Sequence, residues 1–182
     1  MSTQHRVHKA AVRQSRRRAR AAVRWSARAR RPHGSQNVRE PFAPPEDWHE
    51  PTNRNDGYRV VVQEPGEGYV HVVTPDEVRA RLAQAPPEFL RGLEVVQFSR
   101  MTRKKQSFPC YGMQWGATLY LYPLEESLEE WFTAPPRPEI YNEARMYGGV
   151  WDEPATGSWR LSWSRDAIRD FYLNNILIHE LG

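Results

Sequence analysis

The chain has 182 residues, enough for one domain of ordinary size and an appendage, with one cysteine and seven tryptophans. A single thiol excludes an internal disulfide framework and a cysteine-type zinc site. No apolar run reaches the about 18 residues that a membrane span needs, so no membrane contact is expected. The formal charge of +4 hides a segregation: residues 1–31 carry eleven Lys and Arg and no acid, and the remainder carries 15 basic against 22 acidic residues.

The Arg/Ala-rich start has little to bury apart from Trp25, and its closely spaced arginines repel one another, so residues 1–31 are expected to be disordered. Three readings stand side by side. Arg16, Arg17, Arg18, Arg20 and Arg24 suit salt-sensitive contact with nucleic acid or another polyanion. An arginine-rich, acid-poor start also fits an organelle transit segment, and a compositional tail needs no partner at all. The apolar core of a secretory signal is missing, and a cytoplasmic protein is expected. Residues 32–57, with Pro32, Gly34, Pro41, Pro44, Pro45, Pro51 and Gly57, read as a linker.

The folded body is expected over 58–182. Residues 58–62 and 69–73 are β-branched and aromatic, and the intervening Glu-Pro-Gly-Glu-Gly predicts a hairpin. His71 falls within its second strand, where a lone histidine is an ordinary packed or exposed residue. Thr74-Pro75-Asp76-Glu77 predicts a helix start: Thr74 as N-cap, Pro75 as first helical residue, Glu77 as return partner of a capping box. That helix runs to about Gln84, and Pro86-Pro87 closes it. A helical turn is expected over 87–93 and a strand around Val95, Val96 and Phe98. Arg100, Arg103, Lys104 and Lys105 read as a solvated loop, with a phosphate contact as the alternative although no glycine-rich cradle stands beside them.

Residues 108–115 lead into an expected strand at 118–122, with Cys110 a small buried side chain. Residues 124–132 read as an acidic amphipathic helix, and their four glutamates, which lack the aspartates and turn glycine of a calcium loop, read as its solvated face. Prolines at 135, 136 and 138 break the chain, 139–147 is a short helix or irregular, and 148–157 is a loop. Trp159, Leu161 and Trp163 alternate with polar residues, as in a half-buried strand whose apolar face covers the next element.

That element is the last. Ser164 offers an N-cap and Asp166 a first-turn acid, followed by Ala167, Ile168, Phe171, Tyr172, Leu173, Ile176, Leu177 and Ile178. From Phe171 to Leu181 the helix is apolar nearly all round and is expected to be buried. At about 100° per residue, His179 shares the face of Ile168, Tyr172 and Asn175, and Glu180 lies beside Leu173 and Ile176. His179-Glu180-Leu181-Gly182 opens the pattern H-E-x-x-H, in which two imidazoles one turn apart reach one zinc ion and the glutamate serves as base. An ordinary helix ending with Gly182 as terminating glycine is the alternative.

Residues 176–182, Ile-Leu-Ile-His-Glu-Leu-Gly, resemble the first half of the active-site helix of zincin-type zinc metallopeptidases. The resemblance covers about seven residues. It implies zinc as cofactor, His179 as one ligand, Glu180 as general base on a zinc-bound water, and a peptide or protein as substrate. The second histidine and the third ligand are absent from the chain. The expectation is therefore the N-terminal part of a longer zinc-peptidase-like protein, not competent by itself. A non-enzymatic protein that binds polyanions through its tail is the alternative. The fold class expected is α+β, a mainly antiparallel sheet with helices ending in a buried helix.

Overall fold

The computed structural model describes residues 45, 47–53, 57–107, 110–152 and 157–181. The expected disorder of residues 1–31, the five tail arginines and Gly182 lie outside the described residues. The described residues within 31–101, 110–126 and 169–182 form one compact unit, and those within 102–109 and 127–168 form a second. The architecture is α+β, and four of the six strand pairings are antiparallel.

The first unit is built on a four-stranded sheet. Strand β1 (Arg59–Val62) is followed by β2 (Tyr69–Val70), helix α1 (Pro75–Leu82), a 3-10 turn (Pro87–Leu90) and β3 (Val95–Phe98). Later in the chain come β4 (Gly112–Trp115), β5 (Thr118–Leu121) and β6 (Leu124–Glu125). The sheet order is β1-β3-β5-β4, with β1, β3 and β5 parallel and β4 antiparallel on the edge; β2 and β6 form a separate antiparallel pair.

The expected hairpin of 58–62 with 69–73 is therefore not formed. Gly66 and Gly68 take positive φ in the loop, and Tyr69 N–H closes a tight turn on the Gly66 carbonyl at 3.1 Å. The first run instead pairs with β3, whose four residues are all buried. A β-branched run without strict alternation suits a parallel partner as well as a hairpin, and sequence proximity does not decide between them. His71 falls just beyond β2. Its Nε2 lies 2.8 Å from the Gln63 carbonyl, to which it donates, and its ring meets Phe98 edge-on.

The capping box forms as the sequence dictates. Thr74 Oγ1 accepts from Glu77 N–H, and Thr74 N–H donates to the Glu77 carboxylate at 2.7 Å. Helix α1 buries Val78 and Leu82 completely, each worth about 1.5–3 kcal/mol of transfer free energy. Registered residues on adjacent strands share a face. Val62, Phe98, Leu121 and Gly112 make one row, and Val61, Gln97, Tyr120 and Met113 make a row on the opposite face.

The second unit holds helix α2 (Arg103–Ser107), β7 (Glu129–Phe132), α3 (Pro138–Met146), β8 (Val150–Asp152) and β9 (Trp159–Ser162), with sheet order β7-β9-β8, all antiparallel. The basic stretch read as a loop thus contains a short helix. The acidic stretch 124–132, read as a helix, is two strands separated by Leu128 at φ +52, a value no right-handed helix accommodates. Its glutamates are used across the sheet: Arg160 on the central strand bridges Asp152 and Glu129, and Trp163 Nε1 donates to Glu130 at 3.1 Å. Phe132, Trp151, Tyr141 and Trp159 form a chain of ring contacts. Leu161 and Trp163, two of the three residues expected to cover the terminal helix, close over Gly149, where an added Cβ would stand 2.9 Å from Leu161 and 3.1 Å from Trp163.

Candidate functional site

The terminal helix begins as its sequence predicts. Ser164 Oγ accepts from Ala167 N–H at 3.1 Å, and the Ser164 carbonyl accepts from Ile168 N–H. It is not a uniform α-helix. Helix α4 (Arg165–Phe171) passes into a π turn (Tyr172–Ile176), where Leu177 N–H reaches back to the Tyr172 carbonyl, and resumes as α5 (Leu177–His179). The boundary between the two units falls inside α4.

The π turn changes which side chains face inward. An i→i−5 turn absorbs one extra residue, which sets every later residue back by about 100°. Ile168 and Tyr172 are buried, and the uninterrupted spacing would have carried His179 inward with them. Instead Leu177 takes the buried position, His179 is exposed and Glu180 is half-buried. The burial expected of the helix thus holds for Phe171, Tyr172, Leu173 and Leu177, and not for His179.

The π turn is fixed by its neighbours in the first unit. Tyr172 Oη donates to the Tyr122 carbonyl at 2.8 Å in a buried contact, and Tyr111 meets Phe171 and Tyr172 edge-on. Arg81 Nε donates to Asn174 Oδ1 at 2.8 Å, Asn174 Nδ2 donates to Asp170, and Arg169 pairs with Glu77. The shift therefore rests on several anchors, and π turns of this kind recur at functional sites.

Glu180 is held against the edge strand. Its Oε2 accepts from Gln114 N–H at 2.9 Å, a backbone donor that the open side of β4 leaves available. Close approach is possible because position 112 is glycine: a Cβ there would stand 2.7 Å from Ile176 Cγ2 and 3.4 Å from Glu180 Cγ. Burial pushes the Tyr122 phenol far above its ordinary value, and the charges of Cys110, Tyr120 and Glu180 add to the effect. Gln114 and Gly112 thus adjoin Glu180, and Tyr122 is near enough to feel its charge. None was singled out as a site residue from the sequence, where Gly112 within an aromatic-rich strand was the one local signal.

The fit of a zinc ion follows from these donors. Among the described residues no three His, Cys, Asp or Glu side chains come together as a metal-binding group. His179 with Glu180 is part of a donor set, so the described residues alone do not hold zinc in the manner of a three-ligand site, and no catalytic step follows from them. No helix among the described residues is long and apolar enough to cross a membrane. No family model, curated protein or solved structure matches the chain.

Proposed function

We propose that the terminal helix is one wall of a zinc-peptidase-type centre. His179 supplies one imidazole and Glu180 the adjacent carboxylate in the position of the base. The remaining ligands come from outside the described residues, the substrate is a peptide or protein, and the setting is cytoplasmic. The observation that carries this reading is the division of labour at the π turn: the imidazole is turned into solvent, and the next carboxylate is anchored on the edge strand. An ordinary helix end gives no reason for that arrangement. A helix C-terminus disfavours a carboxylate, and here a backbone N–H offsets the cost.

Zinc titration tests the proposal. The chain itself is expected to bind zinc weakly enough to lose it on dialysis and to show no peptidase activity. A histidine placed directly after Gly182 completes the i, i+4 pair. It should tighten zinc about 100-fold, since roughly 10–16 kcal/mol is shared over four ligands in structural sites. His179→Ala in that extended chain should abolish the gain, and Glu180→Gln should keep it. A gain that survives His179→Ala would remove His179 from the site and the proposal with it.

The charge segregation favours a second reading, in which residues 1–31 contact a polyanion such as nucleic acid. It is compatible with the first, because the two use different parts of the chain.

A further inference from the structure

Two polar contacts tie helix α1 to the terminal helix, and their spacings differ. Glu77 pairs with Arg169, and Arg81 Nε donates to Asn174 Oδ1 at 2.8 Å. On α1 the two residues are four apart, about one helical turn, so both side chains leave the same face. On the terminal helix their partners are five apart. In an uninterrupted α-helix, at about 100° per residue, Arg169 and Asn174 would point about 140° away from each other. They reach one face of α1 because the π turn (Tyr172–Ile176) absorbs the excess residue.

Each contact is itself braced. Glu77 is the return partner of the capping box, its carboxylate accepting from Thr74 N–H at 2.7 Å, and Val78 and Leu82, both fully buried, seat α1. Asn174 Nδ2 donates to Asp170 at 2.6 Å, which leaves Oδ1 to accept from Arg81. The competing register is the straight one. With residues 172–176 wound as α-helix, everything beyond them would advance by about 100°. Leu177, 0% exposed, would leave the interior, His179 would turn inward, and Glu180 would part from Gln114 N–H. Leu177 opposes that change from inside. Asn174 opposes it from outside, where α1 holds it through Arg81.

We propose that Arg81 is a positioning residue for the His179–Glu180 pair: acting from α1 through Asn174, it selects the π register that turns the imidazole to solvent and the carboxylate to β4. A role for the pair rests on the zinc-peptidase reading above, whereas control of the register does not. Arg81 touches neither residue of the pair. It lies 93 residues before Asn174 in the chain and works only by choosing between two windings of the same helix.

Amide hydrogen exchange on the full chain, without metal, tests the register. Gln114 N–H reports whether Glu180 is in place, and Leu177 N–H reports the bond to the Tyr172 carbonyl that defines the π turn. Arg81→Ala should speed exchange at both about tenfold, the factor for one hydrogen bond from a charged donor. Asn174→Ala should speed both at least as much, and adding Arg81→Ala to it should change nothing further, since the two share one contact. A chain lacking Asn175 has no excess residue to absorb, so there Arg81→Ala should leave Gln114 protection unaltered. Unchanged Gln114 exchange in Arg81→Ala, a further acceleration on top of Asn174→Ala, or a tenfold effect that persists without Asn175 would overturn the proposal. Because no metal is present, such a failure removes the positioning role alone and leaves the zinc reading to its own titration.

Discussion

Glu180 sits where the aligned peptide dipoles make a carboxylate least welcome, and one hydrogen bond from Gln114 holds it there. The hydrogen bond depends on Gly112, because the Cβ of any other residue would meet Ile176 before the helix could come close. Gly112→Ala is expected to destabilise the chain by about 1–3 kcal/mol, the usual range for overpacking, and to expose the Gln114 amide to exchange. Urea unfolding with exchange at Gln114 measures both, and an unchanged midpoint would mean that Ile176 moves aside at no cost. At this scale the sequence is uneven. Thr74 with Glu77, and Ser164 as a cap, were legible because both partners lie within one turn. Glu180 and His179 were legible as a motif fragment. Gln114 lies 66 residues from Glu180, and nothing in either segment announces the other.

Among elements, the type of a segment was more legible than its partner. The runs at 59–62 and 95–98 read as strands from their β-branched residues, yet β1 lies parallel to β3 because the chain returns through α1 before pairing. Residues 124–132 were misread because four glutamates with spaced leucines satisfy a helical pattern as readily as an edge-strand one. Arg160 and Trp163, which give Glu129 and Glu130 their partners, lie about thirty residues away. The terminal helix was legible in its start and composition, but its phase was not, since a one-residue excess shows only as a phase shift and a helix apolar nearly all round has no polar stripe to reveal it. Removing Asn175 tests the phase argument. The shortened helix should become α throughout and keep its last turn in place, so Glu180 continues to protect the Gln114 amide. Loss of that protection would show that the π turn does more than absorb a residue.

At the scale of the whole molecule, composition announced an appendage and a body, whereas the division of the body into two units, each discontinuous in sequence, was not legible. Such a division is set by contacts between distant segments, and local propensity carries no record of them. Charge is the property that sequence gives in full. Eleven Lys and Arg in residues 1–31 precede a remainder in which acids exceed bases by 22 to 15. A polyanion must therefore be drawn to the first 31 residues and repelled on average by the rest. Counterion release then fixes how the affinity depends on salt: its logarithm falls linearly with that of the salt concentration, by about 0.9 per phosphate neutralised on duplex DNA. With eleven cations available, the slope is bounded near about −10, and engagement of half of them gives roughly −5. Fluorescence anisotropy on duplexes of unrelated sequence should return the same slope for each, and a chain lacking residues 1–31 should not bind. A slope near zero would exclude electrostatic contact, and binding that survives removal of the segment would move the interface onto the acidic remainder, where charge alone cannot account for it.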